Sequence, residues 1–265
     1  MAEDPRPGLR CRTVSAPDDR ATSASLLGRA FEILGVFTQS RRSMTLSELA
    51  RGSGLPKSTT HRLLAMLQEV GAVERIDDRY QVGLRLFSVG ICSAEVELRD
   101  AALPFLERIH RATRQTVNLA VLHGHDVVYL AKTTGGATPT PASVGGRLPA
   151  HATAVGKALL AHTPVDPDGS RSHPLVPRTP ATIVRPDDLH ACLEGVRLRG
   201  HAIDREEAAK GLACIAVPVL VGGEAIAAIS VAFPSGYGSG EQLVSPLREA
   251  SAAIGRSLGA RYASA

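Results

Sequence analysis

The stretch from Thr45 to Glu69, TLSELARGSGLPKSTTHRLLAMLQE, constrains this chain more than any other. Two runs with helical apolar spacing flank Gly54-Leu55-Pro56, which leaves room only for a tight turn. Thr45 and Ser47 are candidate N-caps, and Thr45 with Glu48 makes a capping box for the first helix. Leu46, Leu49 and Ala50 form its apolar face, and the small Ala50 lets a crossing helix come close. Gly54 accepts a positive φ at low cost, and Pro56 fits the first position of the second helix. On a helical wheel Thr60, Leu63, Leu64, Leu67 and Val70 fall on one side of that helix. Ser58, His61, Arg62 and Ala65 fall on the other, with Lys57 and Thr59 at the flanks. Short polar groups and basic heads on an exposed face suit base edges and phosphates, the pattern of a DNA-reading helix-turn-helix.

An ordinary surface helix also exposes a polar face, so the neighbouring segments matter. Val73-Glu74-Arg75-Ile76, Asp77-Asp78 and Arg79-Tyr80-Gln81-Val82 read as a hairpin. A hairpin directly after a reading helix is a wing, with Arg75 and Arg79 beside the DNA backbone or a minor groove. A preceding amphipathic helix over 25–39, burying Leu26, Ala30, Ile33, Leu34 and Phe37, completes a compact module over 25–83.

The 265 residues allow one or two domains, and an apolar fraction of 44% supplies ample core. Aromatic residues are only 3% with no Trp, which argues against binding single strands by base stacking. The net charge of +4 is compatible with duplex DNA without specifying it. Residues 1–24 lack hydrophobic periodicity and read as a flexible tail. They hold no apolar run of signal-peptide type, and no stretch is long enough to span a membrane, so a cytoplasmic location is expected. Cys11, Cys92, Cys192 and Cys214 are scattered without a CxxC spacing, which favours reduced thiols over a zinc ribbon.

Beyond the wing, 84–98 is apolar on more than one side and reads as a linker helix that contributes to a dimer contact. A helix is expected over 100–114, and the pattern then changes. Hairpin strands are expected over 117–122 and 127–131, then a long loop over 133–148 and a helix over 153–162. A polar connection spans 165–182, a helix spans 186–199, buried strands lie at 214–220 and 224–233, and a helix closes the chain over 244–258. This order indicates an α+β fold, an N-terminal winged helix-turn-helix joined by a linker helix to an α/β domain over 99–262.

These residues carry a resemblance. The chain resembles bacterial IclR-family transcriptional regulators from about 25 to 258. The resemblance rests on Arg29-Ala30 with Ile33-Leu34, on Leu46-Ser47-Glu48-Leu49-Ala50, on Gly54-Leu55-Pro56-Lys57-Ser58-Thr59 and on Arg62-Leu63-Leu64. Tyr80 with Leu84-Arg85-Leu86 continues it, and then Leu148-Pro149-Ala150-His151-Ala152-Thr153-Ala154 and Gly156-Lys157-Ala158-Leu159-Leu160-Ala161. The last pieces are Arg199-Gly200 with Ala202, Asp204-Arg205-Glu206-Glu207, Gly211-Leu212 and Cys214-Ile215-Ala216. The resemblance implies a repressor or activator bound to double-stranded operator DNA as a homodimer or dimer of dimers. It also implies a GAF-like C-terminal domain for a small-molecule effector, often a carboxylic or aromatic acid, and no cofactor. The family's ligand positions carry over to Leu148, Ala154, Val155, Asp204, Leu212, Cys214 and Ser230.

Free N–H groups at Ala154 and Val155, in the first turn of a helix opened by Thr153, would suit a carboxylate. Leu148, Leu212 and Cys214 would form an apolar wall, with Asp204 and Ser230 as polar anchors. Plainer roles compete: Thr153 as a helix cap, Cys214 and Ser230 in strand packing, Asp204 capping a turn or holding Arg205. Two departures from the family pattern stand out, a short 165–174 segment and a loop after Phe233 that lacks an arginine common there.

Rival readings are weaker. Gly156-Lys157-Ala158 imitates the end of a phosphate-binding loop, but His151 replaces the required glycine and Ala158 the required Ser or Thr. No G-x-S-x-G elbow occurs, so an enzyme acting on a small acid is disfavoured. A metal-responsive regulator could use His123 and His125 with Asp126 or His151, and a redox-responsive one could use the cysteines. Both are alternatives to an organic effector within the same architecture.

Overall fold

The computed structural model describes residues 25–39, 43–135, 139–163 and 174–263. The expected tail over 1–24, with Cys11, lies outside the described residues, as does nearly all of the short 165–174 segment. The described residues form two compact units divided between Val96 and Glu97.

The first unit contains helices α1 (Leu26–Gln39), α2 (Leu46–Ser53), α3 (Lys57–Glu69) and α4 (Leu84–Gly90). Its strands are β1 (Met44–Thr45), β2 (Val73–Ile76) and β3 (Arg79–Val82), in the order β1-β3-β2. The wing is therefore three-stranded, because Met44 pairs with Tyr80 and Thr45 with Arg79. The α2 capping box forms as expected: the Glu48 N–H donates to Thr45 Oγ1, and the Thr45 N–H donates to Glu48 Oε2 at 2.8 Å. Gly54 ends α2 at φ 69. Pro56 sits one position earlier than expected, as the N-cap of α3, where its carbonyl takes the Thr60 N–H.

Ile33, Val36, Leu49, Leu63, Leu64 and Leu67 form the core of this unit. Two burial expectations fail there. Leu26 is exposed at the first residue of α1, while Val36 takes a core position. A Cβ on Gly52 would strike Val36, so Gly52 as well as Ala50 sets how closely α1 meets α2. Val70 is exposed because α3 stops at Glu69 and Val70 turns away as the C-cap.

The expected continuous helix over 84–98 is broken. After α4, residues 91–93 form a turn, and α5 (Ala94–Thr113) then runs unbroken through the boundary expected at 98–100. Leu98, Ala102, Leu106 and Ile109 explain this, since they form one buried stripe at helical spacing that starts at Leu98.

The second unit is built on β4 (Thr116–His123), β5 (Asp126–Thr133), β6 (Arg147–Pro149), β7 (Ala202–Arg205), β8 (Leu212–Val221) and β9 (Glu224–Pro234). They form an antiparallel sheet in the order β6-β5-β4-β9-β8-β7. β6 and β7 were not anticipated; each is short and lies at an edge. One face packs on α5 and on α8 (Val244–Ala263), with Val117, Leu119, Ile215, Val217, Ile229 and Val231 inside. The other face receives α6 (Ala154–Leu160), which follows a 3₁₀ turn over Ala150–Ala152, and α7 (Pro186–Arg199) flanks it. Pro218 is tolerated in β8 because β7 pairs only as far as Ala216, leaving Pro218 beyond it. Its carbonyl instead accepts the Ser251 hydroxyl of α8 at 2.6 Å. Among the described residues no helix is long and apolar enough to cross a membrane.

A run of small residues seats α6. A Cβ on Gly156 would overlap the backbone of Ala150, so the helix lies directly on the 3₁₀ turn. Gly156→Ala should lower stability by roughly 1–3 kcal/mol through overpacking, measured as a reduced urea midpoint. A midpoint equal to wild type would show that this contact yields freely.

Candidate functional site

On α3, Lys57, Ser58, His61 and Arg62 are exposed and Thr59 is half-buried, while Thr60, Leu63, Leu64 and Leu67 face the core. The polar reader face is therefore free for a partner. The wing arginines differ from it. Arg75 is exposed, but its Nε donates to the Asp77 carbonyl at 2.8 Å and its guanidinium lies over the Tyr80 ring. Arg79 turns inward: Nη2 donates to the Ser43 carbonyl at 2.8 Å and to Glu48 Oε2 at 3.4 Å. It thus braces the capping box of α2, and a phosphate contact would require it to leave those partners.

In the second unit, Leu148, Ala154, Val155, Asp204, Leu212, Cys214 and Ser230 all line one cavity, with about 20 Å³ of open space. That is room for little more than one water molecule, so the lining must move apart to admit a small acid. Register explains the convergence. Asp204 pairs with Cys214 across β7 and β8, and Ser230 pairs with Asn118 across β9 and β4, so their side chains share the α6 face. Leu148 comes from β6, and Ala154 and Val155 from the start of α6.

The sequence reading missed Asn118, Tyr129, Thr140 and Ala208 in the same lining. Asn118 and Tyr129 occupy inward positions on strands whose alternation was legible, but their polarity disguised them. The loop after Phe233 does not line the cavity; Tyr237 instead lies against the Phe233 ring, with centroids 5.4 Å apart.

Thr153 caps α6, its Oγ1 accepting the Gly156 N–H at 3.0 Å. The helix is shorter than expected, ending at Leu160. Asp204 lines the cavity and also caps the turn after β7, with Oδ1 accepting the Glu207 N–H at 2.7 Å. Burial raises its carboxyl to about 7, against the lowering pull of the Glu207 N–H and the Lys157 ammonium. Burial also pushes the Cys214 thiol well up, and Asp204 adds to this, which does not suit a reactive redox sensor. Tyr129 is likewise pushed up, mainly by burial, and stays a neutral phenol.

A further buried group gave no sequence signal. Lys157, on α6, is 1% exposed and its Nζ donates to Glu207 Oε1 at 2.5 Å. Glu207 lies in the turn between β7 and β8, whose backbone is also held by Thr179 and Thr182. The pair ties the helix on one side of the cavity to the turn that positions Asp204.

The residues of the metal-responsive alternative do not assemble. Gly124 and His125 form the hairpin turn itself, between the paired His123 and Asp126, so the histidines do not share a strand face. His123 Nδ1 meets Arg147 at 3.1 Å, and buried His151 meets the Val176 carbonyl. Among the described residues no group of three or more His, Cys, Asp or Glu side chains could hold a metal ion.

Comparison with known proteins agrees with both units. Residues 26–77 match the model described as the IclR helix-turn-helix domain. Residues 92–256 match that described as bacterial transcriptional regulator IclR C-terminal. The transcriptional repressor IclR of Escherichia coli K12 is 34% identical over 242 residues, covering 87% of this chain and 88% of that protein. The acetate operon repressor of Salmonella typhimurium is 35% identical over 223 residues, covering 80% of this chain and 81% of that one. A crystal structure of an IclR homologue from Microbacterium hydrocarbonoxydans complexed with 4-hydroxybenzoate is similar at a TM-score of 0.80 and 33% identity. It covers 89% of this chain and 100% of that one.

Two outcomes test this site. Lys157→Met should cost roughly 3–5 kcal/mol by stranding Glu207, and adding Glu207→Leu should restore much of the loss; a double variant as unstable as the single one in urea titration would contradict the pairing. Asp204 has a raised carboxyl, so its contribution to stability is complete below about 3.8 and is lost as the pH rises through about 7. Asp204→Asn should therefore gain on wild type between pH 5 and 8, by up to roughly 3 kcal/mol. Parallel melting curves at the two pH values would refute this.

Proposed function

The chain belongs to the IclR family of bacterial transcriptional regulators, and we propose that it is the repressor of a metabolic operon, released or retained by a small organic or aromatic acid. The family is one of regulators rather than enzymes. It is a ligand-responsive DNA-binding regulator built from the winged reader and the cavity-bearing domain.

One observation carries the effector half of the reading: seven residues scattered between 148 and 230 converge on a single cavity lined by both polar and apolar side chains. The relative complexed with 4-hydroxybenzoate supports an organic acid as the ligand. On the DNA side, Ser58, Thr59, His61 and Arg62 would read a major groove, with Arg62 forked onto a guanine edge. Lys57 and Arg75, and Arg79 once released from Ser43 and Glu48, would neutralise phosphates and give binding its salt dependence. Two readers from a homodimer, or from a dimer of dimers, would meet successive half-sites of double-stranded DNA in the cytoplasm. The linker region over 84–98 exposes Leu84, Phe87, Val89 and Ile91, a surface suited to covering by a second copy. An effector shifts operator affinity only through its different affinity for the two reader spacings.

The test separates the two halves. Operator sequences selected from a random duplex library are titrated with wild type, Arg62→Ala and Asp204→Ala, while calorimetry follows 4-hydroxybenzoate. Arg62→Ala should weaken operator binding about 10- to 100-fold and leave effector binding intact, and Asp204→Ala should do the reverse. Loss of both activities in both variants would count against a reader and a sensor with separate tasks.

A further inference from the structure

The cavity contains a buried acceptor that no described residue satisfies. Asn118 is 3% exposed, lies on β4 and faces the cavity. Its Nδ2 donates to Ser230 Oγ at 3.4 Å, across the β4–β9 pair. Its Oδ1 is buried and has no hydrogen-bond partner among the described residues. A buried carboxamide oxygen without a donor is costly, and native interiors rarely keep one without a further group to complete it. The side chain is held by the strand and by Ser230, so it cannot swing out to water without breaking that bond.

We propose that Asn118 is the specificity-determining residue of the effector cavity and selects a small acid that carries a hydroxyl group. The proposal rests on the reading of this cavity as the effector site. An amide oxygen only accepts hydrogen bonds, so the ligand group facing it must donate. A hydroxyl donates, whereas a carboxylate or a ketone offers only oxygen lone pairs and would repel the Asn118 oxygen. The surrounding cavity residues reinforce the choice. Leu148, Ala154, Val155 and Ala232 are apolar and offer no side-chain donor in place of the ligand. Thr140 Oγ1 is a second buried atom in the same lining without a partner among the described residues. As a hydroxyl it accepts or donates equally, so it anchors a polar ligand without discriminating. Asp204 and Tyr129 also line the cavity, but Asp204 Oδ1 already accepts the Glu207 N–H and the Tyr129 hydroxyl can donate or accept, so the discrimination falls to Asn118 Oδ1. A site built to bond a substrate hydroxyl rejects the analogue that lacks it far more strongly than an apolar pocket rejects a missing methylene.

Calorimetric titration of the full-length protein with three matched pairs tests this: 4-hydroxybenzoate with benzoate, lactate with propionate, and glycolate with acetate. The same titrations are repeated on Asn118→Ala and Asn118→Val, the second chosen because valine suits a buried strand. In wild type the hydroxylated member of at least one pair should bind about 10-fold or more tightly. In both variants the two members of that pair should come within about 3-fold, through weaker binding of the hydroxylated acid. Equal or tighter wild-type binding of the unhydroxylated acids overturns the proposal and leaves the effector site standing. A preference that survives in a folded variant removes the role from Asn118. Binding of none of the acids to wild type overturns the proposal together with the acid-effector reading.

Discussion

The Lys157 ammonium is buried inside α6 and meets the Glu207 carboxylate of the turn between β7 and β8. Moving both charges out of water carries a large desolvation cost, which only close pairing offsets. α6 is therefore tethered to one turn of the sheet, and much of the effector domain follows from that tether. The turn places Asp204, whose carboxyl both caps the turn and lines the cavity. The helix places Ala154 and Val155 on the opposite side. With the helix and the turn locked together, the space between them is a defined cavity, and burial beside the same pair sets the protonation of Asp204.

Close approach makes the tether possible. Ala150, Ala152, Ala154, Gly156 and Ala158 are small residues on or beside α6, and Gly156 touches the backbone of the preceding turn. Larger side chains would hold the helix off the sheet and lengthen the reach from Lys157 to Glu207. The reader unit uses the same device where Gly52 admits Val36 between α1 and α2. In both units small residues set distance, while a short polar network sets orientation: the Thr45–Glu48 box with Arg79 in one, Asp204 with Glu207 and Lys157 in the other.

Local signals were legible and surfaces were less so. The capping box, the turn at Gly54, the wing hairpin, the Pro186–Arg199 helix and the paired strands after Leu212 all depend on neighbours in sequence, and each appears where the residues indicate. Leu26, Val70 and the 84–98 linker were misjudged because an apolar residue near a helix end carries no mark of which way it turns. β6 and β7 escaped because short edge strands are defined by their partners and not by their own alternation. Arg79 read as a free phosphate ligand because no local pattern shows that Ser43 and Glu48 lie within reach.

The sequence by itself determined the class of this protein. Helix caps, turn glycines and the polar face of α3 are encoded within a few residues of one another, and a resemblance in ordered motifs added the positions that line the cavity. Only the tertiary structure decided that those positions share one enclosed space, that Lys157 and Glu207 are a buried pair, and that Asn118 presents an unanswered acceptor. The reason is distance along the chain. Lys157 and Glu207 are 50 residues apart, and Asn118 and Ser230 are 112 apart. Burial, pairing and protonation arise only where such separated groups displace water together, and no local pattern records that.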